Sequence, residues 1–184
     1  MIASPHPTVL KYGIISGLVA VLLFAISALS GMSSYSGIII SGLVGFLSLF
    51  ASIAFPVMGV RYHRNIELGG YISFAQAFAV CFGISMIGMI LNNIGQYIYT
   101  TVVDPYYYEN MAEQMQEMLE KFNMPESDME QMLEQIKNGS SSSGLLKNIL
   151  SAGILAVILA TIIAAIMQKR PGNPFQNHNS SGEL

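Results

Sequence analysis

Apolar residues run through this chain in long stretches, and the charged positions mark where each stretch stops. Acids stand at 67, 104, 109, 113, 117, 120, 126, 128, 130, 134 and 183, and bases at 11, 61, 64, 121, 137, 147, 169 and 170. No charge falls in 12–60, 68–103 or 148–168. A helix needs about 20 residues to cross the hydrocarbon core. The middle and last gaps therefore hold one span each, and the first must hold two. Gly31-Met-Ser-Ser-Tyr-Ser36 divides that first gap as a polar turn. The pattern predicts spans over Gly13–Ser30, Gly37–Val60, Tyr71–Leu91 and Leu145–Met167. Pro56 should kink the second span, since proline frees the carbonyl of Ser52 four residues back. The third helix should continue past the bilayer towards residue 103, because Asn92, Asn93 and Gln96 suit the interface better than hydrocarbon. Tyr12, Tyr35, Tyr62, Tyr71, Tyr97, Tyr99 and Tyr106–Tyr108 all flank spans, the pattern of an aromatic belt.

Between the third and fourth spans the period changes character. Asp104-Pro105 should end the third helix, since a residue before proline avoids the helical region. Met111, Met115, Met118, Leu119 and Phe122 then repeat at helical spacing, as do Met129, Met132, Leu133 and Ile136. Asn123-Met-Pro125 breaks the two stretches, and Ser127-Asp-Met-Glu130 has the pattern of a capping box. Asn138-Gly139, Ser140–Ser143 and Gly144 form a flexible return. Residues 104–144 are thus expected to be an amphipathic, Met-rich helical hairpin.

Composition sharpens this picture. Of 184 residues, 52% are hydrophobic and 10% charged, where a soluble domain carries about 25% charged residues. So few charges cannot cover a water-exposed surface, which excludes a soluble enzyme. Cys81 is the single cysteine, which excludes a disulfide scaffold and a CxxC metal site. A net charge of −3 speaks against nucleic-acid binding. Lys11, Arg61, Arg64, Lys169 and Arg170 fall on one side of the membrane. The loop from Asp104 to Lys147 carries three bases and nine acids, a net of −6. The positive-inside bias puts both termini in the cytoplasm and the hairpin outside. Residues 1–12 are then a cytoplasmic N-terminus and 168–184 a disordered cytoplasmic tail. Cleavage near Ser27-Ala-Leu-Ser30 as a signal peptide is the rival reading. The 18-residue apolar run exceeds the usual h-region of about 7–15, which favours retention.

Tails solvate leucine as well as protein does, so helices in lipid associate through small residues and interhelical hydrogen bonds. Ala152, Ala156, Ala160 and Ala164 form such a stripe in the last span, Ala75, Ala79 and Gly83 in the third, and Gly13 with Gly17 in the first. The stripes serve a compact bundle or a homodimer seam. The spans contain no Asp, Glu, Lys, Arg or His, which counts against proton-coupled transport, voltage sensing and intramembrane metalloproteolysis. His6, His63 and His178 lie in loops or tails, without HExxH spacing. No catalytic, cofactor-binding or metal-ligating set is expected. Thioethers at Met111, Met115 and Met118 could meet a soft Cu(I) ion; their positions coincide with those the hairpin must bury, which favours packing. Ser85, Asn92, Gln96 and Tyr99 share one face of the third helix and are the best candidate pore stripe. Gln76 should bond a neighbouring helix, and Cys81 should pack. Arg61 and Arg64 can pair with lipid phosphates or with Glu67, and Gly69-Gly70 permits a tight turn.

Lys11-Tyr-Gly13, Arg61, Arg64, Gly69-Gly-Tyr-Ile-Ser-Phe-x-x-Ala-Phe78 and Asp104-Pro105 carry a resemblance over residues 9–170. The chain resembles the bacterial membrane proteins grouped as DUF4199. That resemblance implies a cell-membrane protein of about four helices and transfers no catalytic residue. The expectation is an all-α membrane protein with four transmembrane helices and an extracytoplasmic hairpin between the third and fourth. It is a multi-pass, non-enzymatic protein of the bacterial inner membrane, an accessory or structural subunit with a membrane-protein partner or a second copy. The alternative is an oligomeric transporter or channel for a small neutral or cationic solute.

Overall fold

The computed structural model of the chain describes residues 6–30, 35–121, 125–138 and 142–169. The expected turn at Gly31–Ser36, the break at Asn123-Met-Pro125, the return through Gly139 and the tail from Arg170 fall wholly or mostly outside the described residues. Among the described residues six α-helices form: α1 His6–Ser30, α2 Tyr35–Tyr62, α3 Phe74–Ile98, α4 Tyr107–Lys121, α5 Glu126–Asn138 and α6 Ser142–Met167. Two π turns, His63–Glu67 and Tyr99–Val103, extend α2 and α3. Among the described residues four helices are long and apolar enough to cross a membrane: α1, α2 from Ile39 through its π turn, α3 with its π turn, and α6 from Ile149. Some hydroxyls in these helices bond back to their own helix: Thr161 donates to the Val157 carbonyl at 2.8 Å and Ser30 to that of Ile26 at 2.6 Å.

Several boundaries differ from those the apolar pattern implies, each for a local reason. The first helix begins at His6, with Pro7 in the first turn, where its missing N–H costs no hydrogen bond. The third begins at Phe74 rather than Tyr71, because Ser73 caps it. The Ser73 hydroxyl accepts from the Gln76 backbone N–H at 3.3 Å, and Gln76 Oε1 accepts from the Ser73 N–H at 3.1 Å. Gln76 therefore serves its own helix and not a neighbouring one. No such box forms at Ser127, which lies inside the first turn of α5, while the Pro125 carbonyl accepts from Asp128 and Met129 at 3.1 Å each. Helix α2 runs through the buried Pro56 to Tyr62.

Helix α3 is the centre of the bundle, with α1, α2 and α6 packed against it and α2 also against α1. Its contact with α1 is an interlock of glycines and branched side chains. Cβ atoms built on Gly13 and Gly17 would stand 2.8 and 2.6 Å from the Cβ atoms of Ile87 and Leu91. Reciprocally, Cβ atoms on Gly83 and Gly95 would stand 2.8 and 2.6 Å from methyls of Val9 and Val21. The partners rise together along both helices, so α1 and α3 run parallel, with matching ridges every four residues. In lipid such close approach supplies the packing that apolar side chains alone do not.

On another face of α3, Ala77, Val80, Cys81 and Ile84 pack with Val60 of α2 and with Ala160, Ile163, Ala164 and Met167 of α6. The alanine stripe of α6 is thus buried from Ala156 to Ala164, and Cys81 is a packing residue. The stripe expected on α3 does not behave as one: Ala75 and Ala79 are exposed, and Gly83 meets Val9. Ala77 and Gly88, half a turn away, face the neighbours instead. In the α4–α5 hairpin the deepest positions are Ala112 and Leu119, while Met111, Met115, Met118 and Met129 are half-buried and Met132 is exposed.

Replacing Gly17 by valine should lower stability by about 1–3 kcal/mol, since Leu91 Cβ is tied to its backbone and cannot move aside. Gly42→Ala, where nothing lies within 4 Å, should change it by less than about 0.5 kcal/mol. Unfolding in mild detergent checks both, and equal behaviour of the two variants would refute the interlock.

Candidate functional site

The strongest polar arrangement lies where α1 and α3 begin and where α2 and α6 end, hereafter the basic end. Tyr62 hands over from α2 to the π turn, which closes where the Leu68 N–H donates to the His63 carbonyl at 3.0 Å. Single π turns recur at functional positions in helices. This one places His63 and Glu67 four residues apart on one side, with His63 only 1% exposed. The His63 Nδ1–H donates to Glu67 Oε2, and the Thr8 hydroxyl of α1 donates to Glu67 Oε1. Both carboxylate oxygens are therefore held, one by its own turn and one by a helix 59 residues away. The hydroxyl meets the carboxylate and not the imidazole, so the cluster ties α1 to the π turn after α2.

Three further contacts close the same end. Gly69 and Gly70 take φ values of +66° and +100°, a left-handed pair that turns the chain back into α3. Ile72 and Lys169 exchange main-chain hydrogen bonds of 3.0 and 2.9 Å, an antiparallel bridge between the start of α3 and the chain just past α6. The Arg64 guanidinium donates to the Met167 carbonyl at 3.2 Å and to Asn65 Oδ1 at 3.0 Å. The open choice for Arg61 and Arg64 between Glu67 and lipid is thereby decided against Glu67.

At the opposite end, three rings join the hairpin to the bundle. Phe24 of α1 stands 5.5 Å from Tyr99 and 5.7 Å from Tyr107, and those two tyrosines stand 5.8 Å apart, all edge to face. Burial, with Tyr108, Tyr99 and Asp104 beside it, pushes the Tyr107 phenol above its ordinary pKa. Asp104 Oδ1 accepts from the Tyr106 N–H at 3.1 Å and starts the turn into α4. Between α4 and α5 lies an open groove of about 380 Å³, lined by Pro105, Tyr108, Ala112 and Leu133 with Glu109, Glu113, Gln116 and Lys137.

The polar residues singled out from the sequence do not converge. Tyr99 belongs to the ring joint, the Gln96 carbonyl accepts from Thr100 Oγ1 at 3.0 Å, and Asn92 Oδ1 is buried without a protein partner. Ser85 is half-buried, and none of the four lines the hairpin groove. Among the described residues no three His, Cys, Asp or Glu side chains gather as a metal site. His6 is exposed, and His178 lies outside the described residues. Sequence reasoning missed the pairing of Thr8 with Glu67. The four-residue spacing of His63 and Glu67 was the one available signal.

Residues 11–169, from the cation that opens the first span to the one bridged to Ile72, match the family described as protein of unknown function (DUF4199). The chain belongs to the DUF4199 family. No curated protein matches the chain, and no solved structure does. The His63–Glu67 pair and the ring joint fall inside the DUF4199 match, and Thr8 lies just before it.

Thr8→Val and Glu67→Gln should each destabilise the protein by about 1–3 kcal/mol. The double variant should fall short of their sum by at least about 0.5 kcal/mol, because both remove one shared bond. Thermal unfolding of the four species checks this, and strict additivity would show that the tie carries no energy.

Proposed function

We propose that this DUF4199 protein is a non-enzymatic accessory subunit of the bacterial inner membrane that binds a second membrane protein, or a second copy, through its hairpin. The observation that carries this reading is the hairpin surface. Glu109, Glu113, Glu117, Glu120, Glu126, Asp128, Glu130 and Glu134 are all exposed on the hairpin, and Glu109 and Glu113 line its groove beside Pro105, Tyr108, Ala112 and Leu133. Polar rims around apolar floors are the anatomy of protein interfaces, and the Phe24–Tyr99–Tyr107 joint supports this one on the bundle. Its position outside the cytoplasm, with both termini inside, follows from the positive-inside bias.

Purification of the full chain in mild detergent, with native mass measurement, should give a stoichiometric partner or a homo-oligomer. Glu109→Gln with Glu113→Gln should weaken that complex. A monomer without a partner, or a complex indifferent to those changes, overturns the reading. Orientation is tested separately in a Cys81→Ser background: Gln135→Cys should react with a membrane-impermeant thiol reagent in cells with a permeable outer envelope, and Asn65→Cys should resist. Swapped labelling reverses the orientation.

A further inference from the structure

At the basic end the sequestering of Glu67 leaves cations without counter-charges. Glu67 is paired with His63, and among the described residues no carboxylate forms an ion pair with Lys11, Arg61, Arg64 or Lys169. Arg64 is engaged with the Met167 carbonyl, and Lys169 Nζ lies 5.9 Å from the centre of the Tyr71 ring. Lys11 and Arg61 stand differently. Lys11 Nζ reaches from α1 across to α2, 5.8 Å from the ring centre of Tyr12 and 5.3 Å from that of Tyr62, with the two rings 5.9 Å apart. Exposed Arg61 immediately precedes Tyr62 on α2.

Below each cation lies exposed apolar surface on the same helix face. Ile14, Ile15 and Leu18 follow Lys11 at three, four and seven residues, and Met58 precedes Arg61 by three; all four are at least 40% exposed. A cation and a tyrosine head exposed apolar surface on both helices, a stripe on α1 and Met58 on α2, which matches an amphiphile with an anionic head and apolar tails. A free anion would use the cations and leave the stripes idle.

We propose that the α1–α2 seam at the basic end is a site for an anionic phospholipid, with Lys11 and Arg61 on its phosphate and its acyl chains along Ile14, Leu18 and Met58. The ring pair of Tyr12 and Tyr62 forms the floor beneath the headgroup and holds the Lys11 ammonium on the seam. The site is independent of the hairpin reading.

The test titrates the full-length protein in neutral detergent with phosphatidylglycerol or phosphatidylcholine and reads each dissociation constant from native mass spectra. Phosphatidylglycerol should bind at least about ten-fold more tightly. Lys11→Gln and Arg61→Gln should each weaken it about five-fold, the worth of one cation near an anionic headgroup. Lys147→Gln on α6, far from this end, should leave binding unchanged, and Lys11→Arg should retain it. If Lys11→Gln does not fold, Arg61→Gln carries the comparison alone. Equal affinity for the two lipids, or equal binding by Arg61→Gln and Lys147→Gln, overturns the proposal. Displacement of the lipid by millimolar inorganic phosphate also overturns it, by making the seam a free-anion site.

Discussion

Close backbone approach between α1 and α3 is the contact from which the positions of both ends follow. Water drives apolar faces together in a soluble protein, but a lipid environment already satisfies them. Helices then hold where small residues let whole backbones come into dispersion contact. The α1–α3 seam alternates notch and knob on both partners, so that Gly13 and Gly17 receive Ile87 and Leu91, while Val9 and Val21 fill Gly83 and Gly95. Thr8 sits one residue before Val9, the first of these contacts on α1, and Phe24 three residues after Val21, the last. The interlock thereby delivers a hydroxyl to Glu67 at one end and a ring to Tyr99 and Tyr107 at the other.

The two ends are secured by different physics. The basic end uses hydrogen bonds: the carboxylate shared by Thr8 and His63, the Arg64 bond to the end of α6, and the main-chain bridge of Ile72 with Lys169. Where water is scarce such bonds strengthen, and an unmade one is expensive. The hairpin end uses aromatic rings, whose edge-to-face contacts tolerate adjustment. Polar closure on one side and ring packing on the other suit a bundle that keeps one end fixed and presents a surface at the other.

Much of this architecture was legible from position alone. Charge-free gaps located the four apolar helices, and the change of period after Asp104 located the two amphipathic ones. The alanine stripe of α6 was readable because that helix has essentially one strong neighbour, α3, whereas α1 packs on both α3 and α2 and its glycines mark the α3 side. Helix α3 has three, so its alanines at 75 and 79 carried no information about which face would be buried. Capping signals were ambiguous in the same way. Ser73 with Gln76 and Ser127 with Glu130 share a pattern, and only the first follows a left-handed glycine turn that frees its serine to cap. In the hairpin the expected series includes the buried Leu119 and the half-buried Met111, Met115 and Met118, yet Met132 of that series is exposed and Ala112, outside it, is buried.

Transfer free energy and helical period are properties of consecutive residues, and they suffice for the number of spans, the amphipathic pair and the segregation of acids from bases. The meeting of Thr8 with Glu67 across 59 residues, the pairing of Ile72 with Lys169, and the isolation of Lys11 and Arg61 from any carboxylate are of another kind. They depend on which faces of four similar apolar helices lie together, and hydropathy is nearly the same on every face. That choice is made by the shapes of the glycine notches, which become complementary only when the helices are set side by side.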